Sequence, residues 1–102
     1  VSDASGRAHY FSRSPIPHLR GAERSLVPSQ ARRHVGLYAY RVHFLADFSA
    51  RPVAPLEQLE SLEQLRALHY GHEIRIADAL EPVPAGVDTQ KDLDAVRSLM
   101  AT

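Results

Sequence analysis

Five leucines spaced three residues apart place the strongest constraint on how this chain can fold. They are Leu56, Leu59, Leu62, Leu65 and Leu68. A helix turns about 100° per residue, so each step of three residues falls about 60° short of a full turn. The five side chains would therefore cover roughly two thirds of the helix circumference. The spacing predicts one helix, over Leu56 to Tyr70, that is buried on most sides and ends at Gly71.

Extended segments precede and follow this helix. Their composition and alternation predict three strands, over Arg7 to Ser14, His34 to Arg41 and Glu73 to Ala79. Between the first two strands, residues 18–33 are polar, and they predict a mobile surface loop.

Two further helices are predicted from local signals. One spans Val42 to Ala50, and the other follows Thr89, with Asp92 in the capping-box position. We expect the last helix to pack through its four large apolar residues, Leu93, Val96, Leu99 and Met100. Strands that alternate with helices in this way predict an α/β fold with three or more strands and two or three helices.

The strand over His34 to Arg41 has two chemically different faces. Val35, Leu37 and Ala39 would point to one side, and His34, Gly36, Tyr38 and Tyr40 to the other. A glycine within a strand marks close approach of a ligand or of another segment of backbone. The polar face is therefore either a ligand site or a surface covered by a helix, with the tyrosines as amphipathic packing.

Glu63 is placed unusually in the predicted leucine helix. At 100° per residue its side chain would project between Leu56 and Leu59, on the apolar side. A carboxylate there is costly unless it is paired or used. Either Glu63 pairs with Arg66, three residues on, or Glu63 and its neighbour Gln64 face a polar ligand.

Asp88 lies between a predicted strand and a predicted helix, in the run Gly86 to Thr89. An acidic residue at this position can interact favourably with the amides of the first helical turn. It can also bind a hard cation such as Mg²⁺, which prefers carboxylate and phosphate oxygens.

Composition excludes several classes of protein. The chain has 102 residues, a formal net charge of zero and no cysteine. These values predict one small domain without disulfides and without affinity for nucleic acid. No apolar run approaches the length of a membrane span, so we expect no membrane insertion and a cytoplasmic location. A chain that enters a strand and turn directly after Val1 is also expected to be a segment of a longer protein.

Five sequence motifs occur together and in one order. They are Tyr10 to Pro17, His34 to Arg41, Pro55 to Glu57, Leu62 to Arg66 and Gly86 to Thr89. In combination they resemble the C-terminal part of the 3-deoxy-manno-octulosonate cytidylyltransferases. The resemblance implies the C-terminal portion of a Rossmann-like fold of the nucleotide-diphospho-sugar-transferase type.

The resemblance also implies an activity. Enzymes of this family couple CTP to the sugar acid Kdo (3-deoxy-manno-octulosonate) and release pyrophosphate, using Mg²⁺, for lipopolysaccharide synthesis. They are usually homodimers. Two alternatives are a cytidylyltransferase for another sugar acid and a non-catalytic α/β module for ligand binding or dimerisation.

Six residues of this chain match positions with roles in that family. The resemblance implies that Asp88 is a catalytic magnesium ligand. It implies sugar-acid binding for the other five, which are Arg13, His34, Tyr38, Glu63 and Gln64.

One family feature has no match. The family has a phosphate-binding loop that contains glycine, whereas the five glycines here are widely dispersed. We therefore expect residues 1–102 to form a single partial domain, the sugar-acid-binding half of a cytidylyltransferase, and we expect this chain alone to be inactive.

Overall fold

The computed structural model describes residues 1–21 and 30–101, and four helices form the regular structure of these residues. They are α1 (Val42–Ala50), α2 (Pro55–Glu60), α3 (Gln64–His69) and α4 (Gln90–Met100).

Helices α1 and α4 confirm the predictions made from local signals. The bounds of α1 are those predicted. At the start of α4, the Asp92 amide donates to Thr89 Oγ1 at 3.2 Å, and the Thr89 amide donates to Asp92 Oδ2 at 2.8 Å. This is the reciprocal hydrogen bonding of a capping box, and it satisfies amides that have no partner within the helix.

The prediction of one helix over Leu56 to Tyr70 is wrong. The chain leaves helical geometry at Ser61, whose φ of 51° lies in the left-handed region, so that α2 and α3 are separate. The break changes which leucines are enclosed: Leu65 is 1% exposed, whereas Leu59 is 81% exposed. Leucines three residues apart move progressively around a single helix, so one long helix would need packing neighbours on most of its sides. Because the helix is divided at Ser61, no single helix has to bury all five leucines.

The predicted end of the leucine segment is confirmed. Gly71 has a φ of 83° and donates its amide to the Leu68 carbonyl at 3.1 Å. The His72 amide donates to the Ala67 carbonyl at 2.9 Å. A glycine in the left-handed region therefore terminates α3 in the way that helices commonly end.

The prediction of three or more strands is wrong for the described residues. They contain only isolated antiparallel bridges, Ser2 with Ala8 and Arg7 with Arg75. The Ala8 amide donates to the Ile74 carbonyl at 2.8 Å, so two predicted strand segments do lie side by side. The two segments share only one bridge with each other, whereas a strand requires consecutive pairs along a ladder.

The second predicted strand, over His34 to Arg41, forms no bridge in the described part of the chain. Its Gly36 has a φ of 78°, which lies far outside the strand region. The backbone at this glycine therefore does not have the conformation of a strand.

The core consists of few and mostly small residues. Ala8, Ala54, Leu65 and Ala67 are the buried apolar residues of the described ranges. The radius of gyration is 16.8 Å, compared with about 13 Å for a compact domain of this size. The predicted packing of α4 is wrong at its end, because Leu99 and Met100 are 70% and 83% exposed.

The predicted loop over residues 18–33 is only partly described, because residues 22–29 lie outside the described residues. Its mobility stays a prediction, as does the assignment of residues 1–102 to one partial domain. None of the helices in the described ranges has the length and apolarity needed to cross a bilayer.

Candidate functional site

A continuous series of aromatic rings forms one wall of an open groove. Neighbouring ring centroids lie 5.5–6.0 Å apart. In order, the series contains Phe11, His34, Tyr38, Tyr40, Phe44 and Phe48. These separations are within the range of attractive aromatic contacts, so the series connects the segment from His34 to Tyr40 with α1.

His34 and Tyr38 form a direct hydrogen bond. The Tyr38 hydroxyl and His34 Nε2 are 2.7 Å apart. In an extended strand, Cα atoms four residues apart would be separated by about 13 Å. Gly36, midway between the two residues, has a φ outside the strand region, and the long side chains of His34 and Tyr38 meet beside the groove. The two rings therefore lie together, although the strand predicted to hold them is absent.

Glu63 and Gln64 line the same groove. Burial raises the pKa of Tyr38, with further contributions from Tyr40 and from the negative charge of Glu63. Burial and the charge of Glu63 also raise the pKa of Tyr40. The carboxylate of Glu63 is thus close enough to both tyrosines to influence their titration.

The alternative of an ion pair between Glu63 and Arg66 is not formed among the described residues. Hydrogen bonding to Glu57, with further contributions from the charges of Glu57 and Glu63, raises the pKa of Arg66. The Arg66 guanidinium binds Glu57, with hydrogen bonds of 2.8 Å from Nε to Oε2 and 2.6 Å from Nη2 to Oε1. The Glu63 carboxylate is exposed and accepts no hydrogen bond from the described residues. It is therefore open to a ligand in the groove.

Glu57 has a structural role that the leucine pattern concealed. A single helix would place Glu57 on its polar side, but the residue is only 8% exposed. Its Oε2 accepts the Ala54 amide at 3.0 Å in addition to the bonds from Arg66. The hydrogen bonds from Arg66 hold the pKa of the Glu57 carboxyl below its usual value. One sequence signal was available: a helix that starts at Pro55 places Glu57 at the third helical position, where it can cap the Ala54 amide.

Arg13 lies away from the groove wall. Its Nε donates to the Glu60 carbonyl at 2.9 Å, and its Nη2 donates to the Ser61 carbonyl at 2.8 Å. Carbonyls at the end of a helix have no partner within it. Arg13 therefore satisfies the C-terminal end of α2, and a direct contact of Arg13 with a sugar stays a prediction.

Asp88 is exposed, just before the capping residue of α4. No hydrogen bond to its carboxylate occurs within the described residues. The nearby Asp92 carboxylate is occupied by the Thr89 hydroxyl, the Thr89 amide and the Asp88 amide, which together lower its pKa. Within the described ranges, no group of three or more acidic or histidine residues could hold a metal ion. Asp88 therefore supplies one exposed carboxylate, and its role as a ligand of Mg²⁺ stays a prediction.

The groove brings four of the six predicted site residues together. His34, Tyr38, Glu63 and Gln64 line it, whereas Arg13 and Asp88 do not. Its volume of about 2500 Å³ exceeds the roughly 300–1,000 Å³ of typical closed ligand pockets. The described residues therefore form one side of a site that remains open on the other.

Comparison with known proteins defines the class of protein to which this site belongs. A sequence model described as "Cytidylyltransferase" matches residues 1–74. The chain belongs to the cytidylyltransferase family.

Several curated relatives of the chain share one name. The 3-deoxy-manno-octulosonate cytidylyltransferase of Neisseria gonorrhoeae (strain NCCP11945) is 50% identical over 107 residues, covering 100% of this chain and 42% of the relative. The protein of the same name from Anaeromyxobacter sp. (strain Fw109-5) is 52% identical over 101 residues, covering 99% of this chain and 40% of the relative. The chain thus spans about two fifths of the length of the curated relatives that it matches.

A solved structure supports the fold assignment. The structure of CMP:2-keto-3-deoxy-manno-octonic acid synthetase complexed with CTP matches with a TM-score of 0.81 and 46% identity. The match covers 99% of this chain and 40% of that one. The path of the chain is therefore that of the matched part of this synthetase, although the extended segments of the described residues do not form regular strands.

Proposed function

We propose that this chain is the sugar-acid-binding part of a longer cytidylyltransferase, called the parent protein below. The parent protein would couple CTP to Kdo, giving CMP-Kdo and pyrophosphate. The observation that carries the proposal is the hydrogen bond between His34 and Tyr38 at the wall of a groove that Glu63 and Gln64 also line. The names of the relatives, which are similar over nearly the whole chain, support Kdo as the sugar acid.

The chemistry of these four side chains suits a sugar acid. The unpaired Glu63 carboxylate can accept hydrogen bonds from sugar hydroxyls, and Gln64 can both accept and donate them. The hydrogen bond between His34 and Tyr38 restricts both rings, so that their remaining polar groups are held ready for the ligand. Together they would orient the anomeric hydroxyl of Kdo toward the α-phosphate of CTP. Attack by the oxygen of that hydroxyl would form a bond to the α-phosphorus, while the bond from the α-phosphorus to the β-phosphate breaks and pyrophosphate leaves.

Asp88 is the residue of this chain that would hold Mg²⁺. When bound, the ion lowers the pKa of the attacking hydroxyl and neutralises charge on the phosphates. The carboxylate of Asp88 is available for this purpose because Asp92, and not Asp88, forms the capping box of α4 with Thr89.

We also propose that the parent protein is a cytoplasmic homodimer, as the resemblance implies. The exposed Leu99 and Met100 at the end of α4 support association, since apolar side chains of this size are favourably covered.

Substitution of Glu63 in the parent protein tests the proposed function. Glu63→Gln should raise KM for Kdo about ten- to hundredfold, because a charge-assisted hydrogen bond is lost. KM for CTP and the melting temperature should stay unchanged. A matched control is Asp94→Asn, which removes an exposed carboxylate from α4 and should change none of these values. Normal Kdo kinetics with a lowered melting temperature would return Glu63 to a structural role, and turnover of a different sugar acid but not of Kdo would contradict the substrate.

A further inference from the structure

Reciprocal hydrogen bonds join the segment before Pro15 to the C-terminal end of α2. The Glu60 carboxylate accepts the Ser12 hydroxyl at 2.7 Å, the Arg13 amide at 3.0 Å and the Tyr10 hydroxyl at 3.4 Å. In return, Arg13 donates to the carbonyls of Glu60 and Ser61 at 2.9 and 2.8 Å. We call these five bonds the Arg13–Glu60 junction.

The junction acts on the residue at which the helix breaks. Ser61 has a φ of 51°, in the left-handed region that is unfavourable for residues other than glycine. Its carbonyl is one of the two that Arg13 binds. A conformation of this kind persists only when surrounding contacts impose it. The Arg13–Glu60 junction supplies such contacts from a segment almost fifty residues away in sequence.

The turn at Ser61 in turn determines where the next side chains point. Glu63 and Gln64 follow it by two and three residues, and both line the groove. Had the helix continued, Glu63 would lie on the apolar side between Leu56 and Leu59. The left-handed turn is therefore what brings this carboxylate to the groove.

We propose that Arg13 and Glu60 are positioning residues for sugar-acid binding, which hold the left-handed turn at Ser61 and thereby direct Glu63 and Gln64 into the groove. The inference rests on the proposed function, because it assigns Glu63 and Gln64 to the sugar acid. It gives Arg13 a role through α2 in place of a direct contact. Neither Arg13 nor Glu60 lines the groove, and the polar groups of both face each other across the junction.

The test measures steady-state kinetics and melting temperature in the parent protein. In Glu60→Gln, one side-chain oxygen that accepts hydrogen bonds becomes an amide nitrogen that only donates them. The substitution therefore weakens the junction and should raise KM for Kdo about tenfold. KM for CTP and kcat at saturating Kdo should stay unchanged. Arg13→Ala should have the same effect. Ser12→Ala removes one bond of the junction, together with the local bond that the Ser12 hydroxyl accepts from the Ser14 amide. It should raise KM for Kdo about threefold, which keeps the test usable if the stronger variants do not fold.

Glycine at position 61 separates positioning from direct contact. Because glycine adopts positive φ at little cost, Ser61→Gly should restore much of the Kdo affinity that Arg13→Ala loses. The double variant is compared with Ser61→Gly alone. A KM for Kdo that stays raised in the double variant, with normal kinetics for Glu60→Gln, would establish direct contact by Arg13 and overturn the inference.

Two further outcomes separate this inference from the proposed function. If Glu60→Gln lowers the melting temperature but leaves KM for Kdo unchanged, the junction is only structural and the inference fails. If the parent protein does not use Kdo, or if Glu63→Gln leaves its Kdo kinetics unchanged, the proposed function fails and the inference fails with it.

Discussion

The guanidinium of Arg66 binds the buried carboxylate of Glu57 across the break between α2 and α3, with hydrogen bonds of 2.6 and 2.8 Å. Arg66 also lies over the ring of Phe48 in α1, with its guanidinium carbon 4.4 Å from the ring centroid. Helices of six residues are too short to be stable alone. The pair formed by Glu57 and Arg66 therefore connects two weak helices to each other and to α1.

Removal of Arg66 should destabilise the protein. Arg66→Met leaves the Glu57 carboxylate without its charged partner, so the melting temperature should fall by about 5 °C or more. Thermal unfolding followed by circular dichroism measures this change. In the matched control, Arg97→Met breaks an exposed pair with Asp94 and should change the melting temperature by only about 1 °C. Equal melting temperatures for the two variants would contradict a structural role for the Glu57 pair.

Stability should fall in acid because of Glu57. Hydrogen bonds from Arg66 lower the pKa of this carboxyl in the folded state below its ordinary value of 4.5. The folded state then binds fewer protons than the unfolded state, so the stabilisation is present above pH 4.5 and is lost as the pH falls through the folded pKa. Melting curves between neutral pH and about pH 3 should show this loss, and Glu57→Gln should reduce the slope. An unchanged slope in Glu57→Gln would assign the acid sensitivity to other carboxylates.

The two stacked tyrosines should differ in their effect on sugar use. Tyr38→Phe removes the hydroxyl that bonds to His34, and in the parent protein KM for Kdo should rise about tenfold. Tyr40→Phe keeps the ring between Tyr38 and Phe44 and removes a hydroxyl with no hydrogen bond among the described residues. Its KM for Kdo should change less than about twofold. The proposed role of the Tyr38 hydroxyl would be wrong if both variants behaved alike.

Asp88 and Asp92 should separate metal binding from helix capping. Asp88→Asn in the parent protein should raise the Mg²⁺ concentration needed for half-maximal activity about tenfold or more, with no change in melting temperature. Asp92→Asn weakens the acceptor of the α4 cap and should lower the melting temperature, with the Mg²⁺ requirement retained. Titration of activity with Mg²⁺ and a thermal melt distinguish the two. A normal Mg²⁺ requirement in Asp88→Asn would remove Asp88 from the proposed metal site.

Features that depend on neighbouring residues could be predicted from the sequence. Thr89 and Asp92 are three residues apart, and Gly71 interacts with carbonyls of the preceding turn, so both helix ends were evident before the structure was known. His34 and Tyr38 were expected to share one face of a strand. That strand is absent from the described residues, but the two side chains are hydrogen-bonded. The family was evident because its motifs recur in order over nearly the whole chain.

Features that depend on distant residues were decided by the tertiary structure. The leucine spacing predicted one helix, but Arg13 meets Ser61 across the fold, and the chain turns there. The partner of Arg66 proved to be Glu57, nine residues away across the break, and not Glu63 on the expected helical surface. The extended segments were recognisable, but whether they form strands depends on which backbone lies beside them. In the described residues only isolated bridges form, and none involves the segment from His34 to Arg41. Local propensity determines which conformations a segment favours, whereas hydrogen bonds to distant segments decide which of them is adopted, because their partners are brought close only by the fold as a whole.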